Sequence, residues 1–238
     1  TNDASATGVG SIDSVCQANT TAGFSIVTYT GDSSGNDGTA STVAHGLGSA
    51  PQWIVFIPLN ANDGASFHHK NTTAPETDRL VFASTSGNLA TSDDSGFFND
   101  TAPTSAVFSV GTRRHTNSDG GMVAYCWTAV EGFSKFGSFE GNGSTDGSFV
   151  YCGFRPLFVM TKCSPNASHW HIYSPVLDLN PTGFLRATET TTYQDYNYCD
   201  ILSNGFKIRD NGTEANRDGA NFVYMAFADV PFKYALAR

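Results

Sequence analysis

The stretch GFSKFGSFEGNGSTDGSFVYCGFRP, residues 132–156, alternates apolar and polar residues, crosses a Gly/Ser/Asp turn, and reaches a second apolar run that ends at Pro. A period of two predicts β-strands with one buried face, and the Gly-rich segment predicts a tight connection between them. Residues 23–51, GFSIVTYTGDSSGNDGTASTVAHGLGSAP, follow the same plan. The chain therefore reads as a β protein containing an internal repeat.

Further landmarks recur in the same order, always about 100–110 residues apart. The matched segments are 23–25 with 132–134, 31 with 141, 48–53 with 154–158, 66–68 with 169–171, 108–110 with 206–208, and 122–130 with 222–230. Chance similarity between Gly-rich strands would not preserve this order. We predict an all-β fold of two tandem, related, jelly-roll-like β-sandwich modules that are tightly joined. Their bounds are a connecting segment at 1–22, a first module at 23–131 and a second at 132–238.

The composition supports strands and disfavours some kinds of partner. Charged residues make up 15% of the 238 residues and aromatic residues 13%, whereas helices favour Ala, Leu, Glu and Lys. The net charge of −9 repels phosphate, so nucleic-acid binding is not expected. No apolar run approaches the roughly 18 residues that a membrane-spanning helix needs, so membrane insertion is not expected either.

The five cysteines do not form a recognisable disulfide or zinc pattern. Their number is odd, their spacing is wide and no C-x-x-C occurs, which favours free, buried thiols in strands. They are Cys16, Cys126, Cys152, Cys163 and Cys199.

One segment matches a hydrolase motif. Gly31–Gly35, GDSSG, fits G-x-S-x-G, but a nucleophile must lie on a strand-to-helix elbow, and this segment lies between two predicted strands. Its counterpart in the second repeat keeps the turn and loses the motif, so we interpret it as a hairpin connection. Residues with a catalytic role are not predicted, and the sequence offers no positive case for an enzyme.

The segment His169-Trp170-His171 is the first candidate contact site. Alternation along a strand places both imidazoles on one face, where they can begin a metal site, with Asp178 or Asp200 as conceivable further ligands. An exposed Trp between imidazoles also suits stacking on a glycan or contact with a partner. Ordinary strand packing is the remaining interpretation. We predict neither a metal nor a cofactor.

Three arginines form the second group of candidates. Arg113, Arg114 and Arg217 lie in the matching turns before the last strand of each repeat, where they can meet an acidic partner. The acidic turns at Asp32/Asp37 and Asp93-Asp94 do not have the spacing of a calcium loop, and we interpret them as solvated loops.

The matched segments together resemble a known family. TAGFSIVTYTG, VAHGLGSAP, NDTAPTSAVFSVGT, LSNGFKIR, FVYMAFADVPFKYALAR and the long segment that begins MVAYCWTAVEGFSKFG are similar to a domain of unknown function in structural proteins of tailed, often marine, bacteriophages. The resemblance covers roughly residues 20–238. It departs from the family pattern at Cys126-Trp127-Thr128 and in FHHKNTTAPETDRLVF, and it carries over no catalytic residue.

This resemblance implies a virion structural protein. The leading hypothesis is a tail fibre or spike whose loops contact a host-surface glycan or protein. A capsid decoration or cement protein is the alternative, and a glycan depolymerase is the third hypothesis. Expected partners are other virion proteins and a host glycan or receptor. Analogy with phage fibres favours a homo-oligomer, with a trimer as the expected state, and assembly in the host cytoplasm followed by residence in the virion is the expected localisation.

Overall fold

A computed structural model describes residues 1–59, 64–81, 94–164, 168–176, 184–187 and 198–229. The chain divides into two compact units. Unit 1 comprises the described residues up to 128 except 71–73, and unit 2 comprises 71–73 and the described residues from 129 onward. The chain thus passes from one unit to the other at Thr128–Ala129, three residues before the predicted module boundary.

Unit 1 is built from short strands and one-turn helices. In chain order its elements are α1 (Ala4–Thr7), β1 (Ser14–Asn19), β2 (Phe24–Tyr29), β3 (Ser41–Ala44), β4 (Trp53–Pro58), β5 (Ser66–His69), β6 (Leu80–Val81), α2 (Ser95–Phe98), β7 (Val107–Val110), α3 (Arg114–Asn117) and β8 (Met122–Trp127).

The strands of unit 1 form two layers around one core. The larger sheet has the order β1-β2-β8-β4-β5-β6, all pairs antiparallel, and β3 pairs with β7 in the smaller one. Phe108 of β7 packs against Tyr29 and Phe56 of the large sheet, with ring centroids 5.8 and 5.4 Å apart. Burial of such aromatic rings between the two sheets makes the main favourable contribution to the free energy of folding.

Residues 1–22 take part in this sandwich, although the sequence set them apart as a connecting segment. Strand β1 pairs with β2 over its whole length, from Ser14 opposite Tyr29 to Asn19 opposite Phe24. The backbone amides of Ser11 and Ile12 also donate to the carbonyl of Thr42 on β3. The alternation of apolar and polar residues in this segment is too weak to predict a strand. The strand forms because its backbone pairs with β2.

Unit 2 repeats the layered plan. Its strands are β9 (Ser134–Glu140), β10 (Phe149–Tyr151), β11 (Pro156–Cys163), β12 (His171–Tyr173), β13 (Leu185–Arg186), β14 (Cys199–Leu202), β15 (Gly205–Ile208) and β16 (Asn221–Ala228). One sheet has the order β9-β16-β11-β12-β13 and the other β10-β15-β14, again antiparallel throughout. Phe206 of β15 packs against Tyr224 of β16 across the core, with centroids 5.4 Å apart.

The prediction of an all-β sandwich fold is confirmed. The apolar run 222–228 lies in β16, whose central residues are all buried. The similar run in β8 instead alternates between buried and half-buried residues, so its two faces are not equivalent. Within the described residues the helices are four residues long, as a sequence without an amphipathic helical segment predicts.

Candidate functional site

The first candidate site lies at β12, in the interior of unit 2. His171 begins this strand, opposite Thr161 of β11 and Arg186 of β13. Its imidazole is fully buried and lies 5.0 Å from the ring of Phe184. The side chain therefore points into the sandwich and does not reach solvent.

A carboxylate that the sequence did not single out joins the basic groups here. Glu214 Oε2 lies 3.1 Å from an Arg186 guanidinium nitrogen and 3.6 Å from His171 Nε2, while Oε1 lies 4.0 Å from His169 Nε2. The separation from His171 is longer than a hydrogen bond, so that contact is electrostatic. Glu214 follows β15 in a loop and is 43 residues from His171 in the chain, which left no local pattern to find.

The two partners shift each other's protonation. Burial lowers the pKa of His171, because the charged imidazolium is poorly solvated there, and the nearby Glu214 carboxylate opposes that shift. The pKa of Glu214 is lowered chiefly by its contact with His171; burial opposes this shift, and the Arg186 charge adds a smaller lowering. The cluster thus holds a carboxylate beside a guanidinium and a largely neutral imidazole.

Trp170 does not present a stacking surface. The sequence suggested an exposed ring between two imidazoles, but Trp170 and His171 are fully buried and His169 is only 9% exposed. Beside Trp170 lies the buried Lys162, whose Nζ donates to the carbonyl of Ser168 at 2.8 Å and lies 5.5 Å from the Trp170 ring centroid. Burial lowers the pKa of Lys162 to about 8. The interpretation as an exposed glycan platform is therefore wrong, because the strand turns these side chains into packed surroundings.

The metal hypothesis at β12 finds no support in the geometry. In the described part of the chain, no group of three or more His, Cys, Asp or Glu side chains is arranged to hold a metal ion. Asp200 is instead bound to Arg209, with Oδ2 2.6 Å from Nε. Asp178 lies outside the described residues.

Arg113 is a structural residue of unit 1. Its guanidinium donates to both carboxylate oxygens of Asp94, at 3.2 and 2.8 Å, and to Asn36 Oδ1 at 3.1 Å. It also lies 4.9 Å from the centroid of the Phe97 ring. An arginine held on so many sides is not available to an acidic partner without breaking these contacts.

The other two arginines differ in environment. Arg114 is half-buried; its backbone amide donates to Gly35 and its side chain reaches the carbonyl of Ser34 at 3.5 Å. Arg217 is exposed, and its carbonyl lies where a Cβ on Gly141 would collide with it. Of the six candidate contact residues, only Arg217 is classed as exposed.

The GDSSG segment is a connection between layers. It joins β2 of the large sheet to β3 of the small one, so the interpretation as a hairpin was wrong, as a nucleophile elbow would have been. Ser33 is buried and its Oγ donates to the carbonyl of Thr112 at 2.8 Å. Asp37 accepts from the amides of Ser34 and Gly35, and hydrogen bonds to Ser34 and its neighbours lower its pKa to about 2.

None of the five cysteines forms a disulfide, as predicted. Cys126, Cys152, Cys163 and Cys199 are buried and Cys16 is half-buried. Burial raises the pKa of Cys152 to about 12 and that of Cys126 and Cys199 as well, so these groups stay protonated at neutral pH. Such thiols are packing residues.

A family model described as a domain of unknown function, DUF7483, matches residues 1–231. The chain belongs to the DUF7483 family. A search of curated proteins and a search of solved structures give no match. Membership of DUF7483 thus establishes kinship over nearly the whole chain and assigns no chemistry to its residues.

Two asparagines of this DUF7483 chain matter for its turns and were missed by the sequence analysis. Asn117 Nδ2 lies within 3.0 Å of Asp32 Oδ1 and of the carbonyls of Thr39 and Gly111. Asn216 Nδ2 lies within 2.9 Å of three oxygens in unit 2 in the same manner, and both residues are fully buried. The sequence signal was present, since the two residues stand at similar places before β8 and β16, but Asn in a Gly-rich turn is too common to stand out.

Within the described residues, no helix has the length and apolar character needed to cross a membrane.

Proposed function

We propose that this protein is a structural component of a bacteriophage particle, and that it serves as a tail fibre or spike type of appendage that contacts a host-surface glycan or protein. The proposal is supported by the resemblance of the ordered segments to phage structural proteins. The structural observation that carries it is the repetition of one strand plan in two sandwich units. Repeated β-modules suit an appendage, because each module folds around its own core and exposes loops at its ends.

We further propose that the two units arose by internal duplication. The order β2-β8-β4-β5-β6 in unit 1 corresponds to β9-β16-β11-β12-β13 in unit 2. The registers agree as well: Trp53 pairs with Trp127, and Phe158, at the matching position, pairs with Phe227. Likewise Val43 pairs with Phe108 and Val150 with Phe206 in the smaller sheets.

The register also refines the matched landmark at residues 66–68. Ser66 lies opposite Phe56 and Val81, and the corresponding place in unit 2, opposite Thr161 and Arg186, is held by His171. The sequence had instead aligned Ser66 with His169. A shift of two residues keeps the side chain on the same face, so apolar patterning alone does not detect it.

The proposed role includes a homo-oligomer, with a trimer as the expected state, residence in the virion, and no catalytic activity. Ser33 of the G-x-S-x-G segment donates to a loop carbonyl, and the His171 imidazole of β12 packs inside the sandwich. These contacts favour a structural role for the residues rather than a catalytic one. The accessible candidates for partner contact are Arg217 and the loops around it.

The test is to locate the chain on intact particles and to measure its binding to host cells. Gold-labelled antibody should mark the tail or its fibres, at tens of copies per particle, and purified protein should adsorb to host cells. Labelling of the capsid shell at hundreds of copies, with binding to emptied capsids and not to cells, would replace this role by capsid decoration. Release of reducing sugar from host polysaccharide would replace it by a depolymerase, and absence from the particle would overturn all three.

A further inference from the structure

The sheet edge in unit 1 is closed by the N-terminal strand. Strand β1 covers the edge of β2, with Cys16 opposite Val27. From there Cys16 Sγ reaches across to the small sheet and donates to the carbonyl of Ala44 on β3 at 3.1 Å. Strand β1 thus pairs with the backbone of β2 at the edge of the large sheet and also donates a hydrogen bond to a carbonyl of the small sheet.

Unit 2 has a different arrangement at the corresponding place. Among the described strands, β9 lies at the end of its sheet, paired with β16. The chain segment that directly precedes β9 is β8, which is already placed inside the sheet of unit 1. Strand β9 therefore begins without a preceding strand of the β1 kind in its own unit.

A lysine makes the corresponding contact with the small sheet in unit 2. Lys135 of β9 donates from Nζ to the carbonyl of Tyr151 on β10 at 2.7 Å, and Nζ lies 5.0 Å from the Tyr151 ring centroid. Tyr151 follows the core residue Val150 as Ala44 follows Val43, so the same carbonyl is satisfied in both units. In unit 1 the donor is Cys16 of an added strand, and in unit 2 it is a side chain of the edge strand itself.

The register shows what Lys135 replaces. Lys135 lies opposite Ala226 on β16, and Ser25 lies opposite the matching residue Cys126 on β8. The strand register thus aligns Ser25 with Lys135, one residue beyond Ser134, with which the sequence had matched it. Ser25 faces Ala18 of β1, so two small side chains meet where the added strand lies. The long side chain of Lys135 instead reaches across to Tyr151 of the small sheet.

We infer that the β9 edge is a surface that can accept a β-strand, that Lys135 keeps it closed, and that its occupant on opening is β1 of a second copy of this chain. Charged side chains that point inward from an edge strand are a known means of preventing strand addition. Added strands bind through main-chain hydrogen bonds, with side chains setting the register. By analogy with β1 on β2, Cys16 of the incoming strand lies opposite Gly137.

The test uses a labelled synthetic peptide of residues 12–20 as the probe, under reducing conditions. The variants are Lys135→Ser, which installs the residue found at the matching place in unit 1, and Lys135→Arg, which keeps a donor. The control is Lys207→Ser, the same substitution on β15, an inner strand of the small sheet. Fluorescence anisotropy should show at least tenfold tighter binding to Lys135→Ser than to the native protein, with Lys135→Arg and Lys207→Ser resembling the native protein.

Two further measurements locate the effect. Hydrogen exchange should show new protection of β9 amides in the complex, and light scattering should show a mass for Lys135→Ser that rises with concentration above that of the native protein. Lys135→Met, which keeps the apolar stem and lacks the donor, serves if Lys135→Ser does not fold, and it should also bind. Equal peptide binding by all variants, absence of binding to a folded Lys135→Ser or Lys135→Met, or protection away from β9 would overturn the inference.

Discussion

Among single residues, a buried asparagine side chain in each unit holds the surrounding turns together by hydrogen bonds. Asn216 is fully buried, and Nδ2 lies 2.9, 2.8 and 2.8 Å from Asn142 Oδ1 and the carbonyls of Ser144 and Asp210. Its Oδ1 also accepts from the amide of Asn142 at 3.0 Å. These bonds tie the loop after β9 to the loop before β16, which are far apart in the chain.

Replacing Asn216 by Ala should lower the free energy of unfolding of unit 2 by about 2–4 kcal/mol, since it leaves several buried polar groups without a partner at about 1–3 kcal/mol each. Asn216→Asp should be at least as damaging, because an acceptor then faces oxygens. Urea unfolding followed by Trp fluorescence measures the change. Asn211→Ala, at an exposed position, is the control and should change stability by less than about 0.5 kcal/mol.

The buried His68 makes stability depend on pH. Its side chain is 2% exposed, it packs against Phe98 with ring centroids 5.3 Å apart, and burial lowers its pKa to about 4. The unfolded chain has a His pKa near 6.5 and binds more protons than the folded chain between these two values. Stability should therefore be full above about pH 6.5 and fall as the pH drops toward 4.

The size of this loss is about 3 kcal/mol, from roughly 1.4 kcal/mol for each unit of pKa. His68→Phe, which keeps a ring beside Phe98, should reduce the slope in urea midpoints measured from pH 7.5 to 4.5. The lowered pKa of the buried His171 contributes in the same direction and remains in the variant. An unchanged slope in His68→Phe would show that His68 is not the group that titrates.

At the scale of elements, one ion pair anchors the short helix α2. Asp94 caps the helix by accepting from the amide of Gly96 at 3.1 Å and is itself held by both nitrogens of the Arg113 fork. A four-residue helix has little stability of its own, so these contacts and the packing of Phe97 and Phe98 determine whether it forms.

Arg113→Ala should destabilise unit 1 by about 2 kcal/mol, the range for hydrogen bonds to charged groups after allowance for partial exposure. Arg113→Lys should recover only part of this loss, since an ammonium cannot reproduce the two-nitrogen contact. Thermal unfolding of both variants is the measurement. Arg155→Ala removes an exposed arginine and should leave the midpoint nearly unchanged.

At the scale of the whole molecule, the thiols report on packing. Four of the five are buried, and burial raises the pKa of three of these, Cys126, Cys152 and Cys199. The half-buried Cys16 lies on the outermost strand of the large sheet. Brief alkylation of the native protein at pH 8 should therefore modify Cys16 first, and the other four should react only on unfolding. Peptide mass spectrometry identifies the sites. Early reaction at a core cysteine such as Cys126 or Cys199 would contradict the packing described.

The sequence predicted the class of fold because its signal is local. Alternating residues such as those of β9 identify strands, and Gly-rich turns separate them. The order of matched landmarks indicated two modules of similar plan. Prediction from the sequence failed at β1, because pairing with β2 makes a strand of a segment with little apolar periodicity. It also failed at Arg113, which the sequence placed in an exposed turn.

The candidate site shows the limit of local signals. The spacing of His169 and His171 predicted a shared strand face, but only His171 lies in β12, and both imidazoles approach Glu214. The direction in which His171 points depends on the register with β11 and on the second layer. Glu214 comes to His171 from a distant loop, and Lys135 contacts the small sheet from 16 residues before its partner Tyr151. None of these positions has a motif of its own.

The amino-acid sequence was enough to predict a β-rich, turn-linked, acidic protein, because hydrophobic period and turn chemistry act between near neighbours. The interior positions of Trp170 and His171, the path of GDSSG between two layers, and the different edge contacts of Cys16 and Lys135 emerge only in the tertiary structure. Those outcomes depend on strand register and on contacts between distant segments, where a shift or a single side chain changes which surface is exposed.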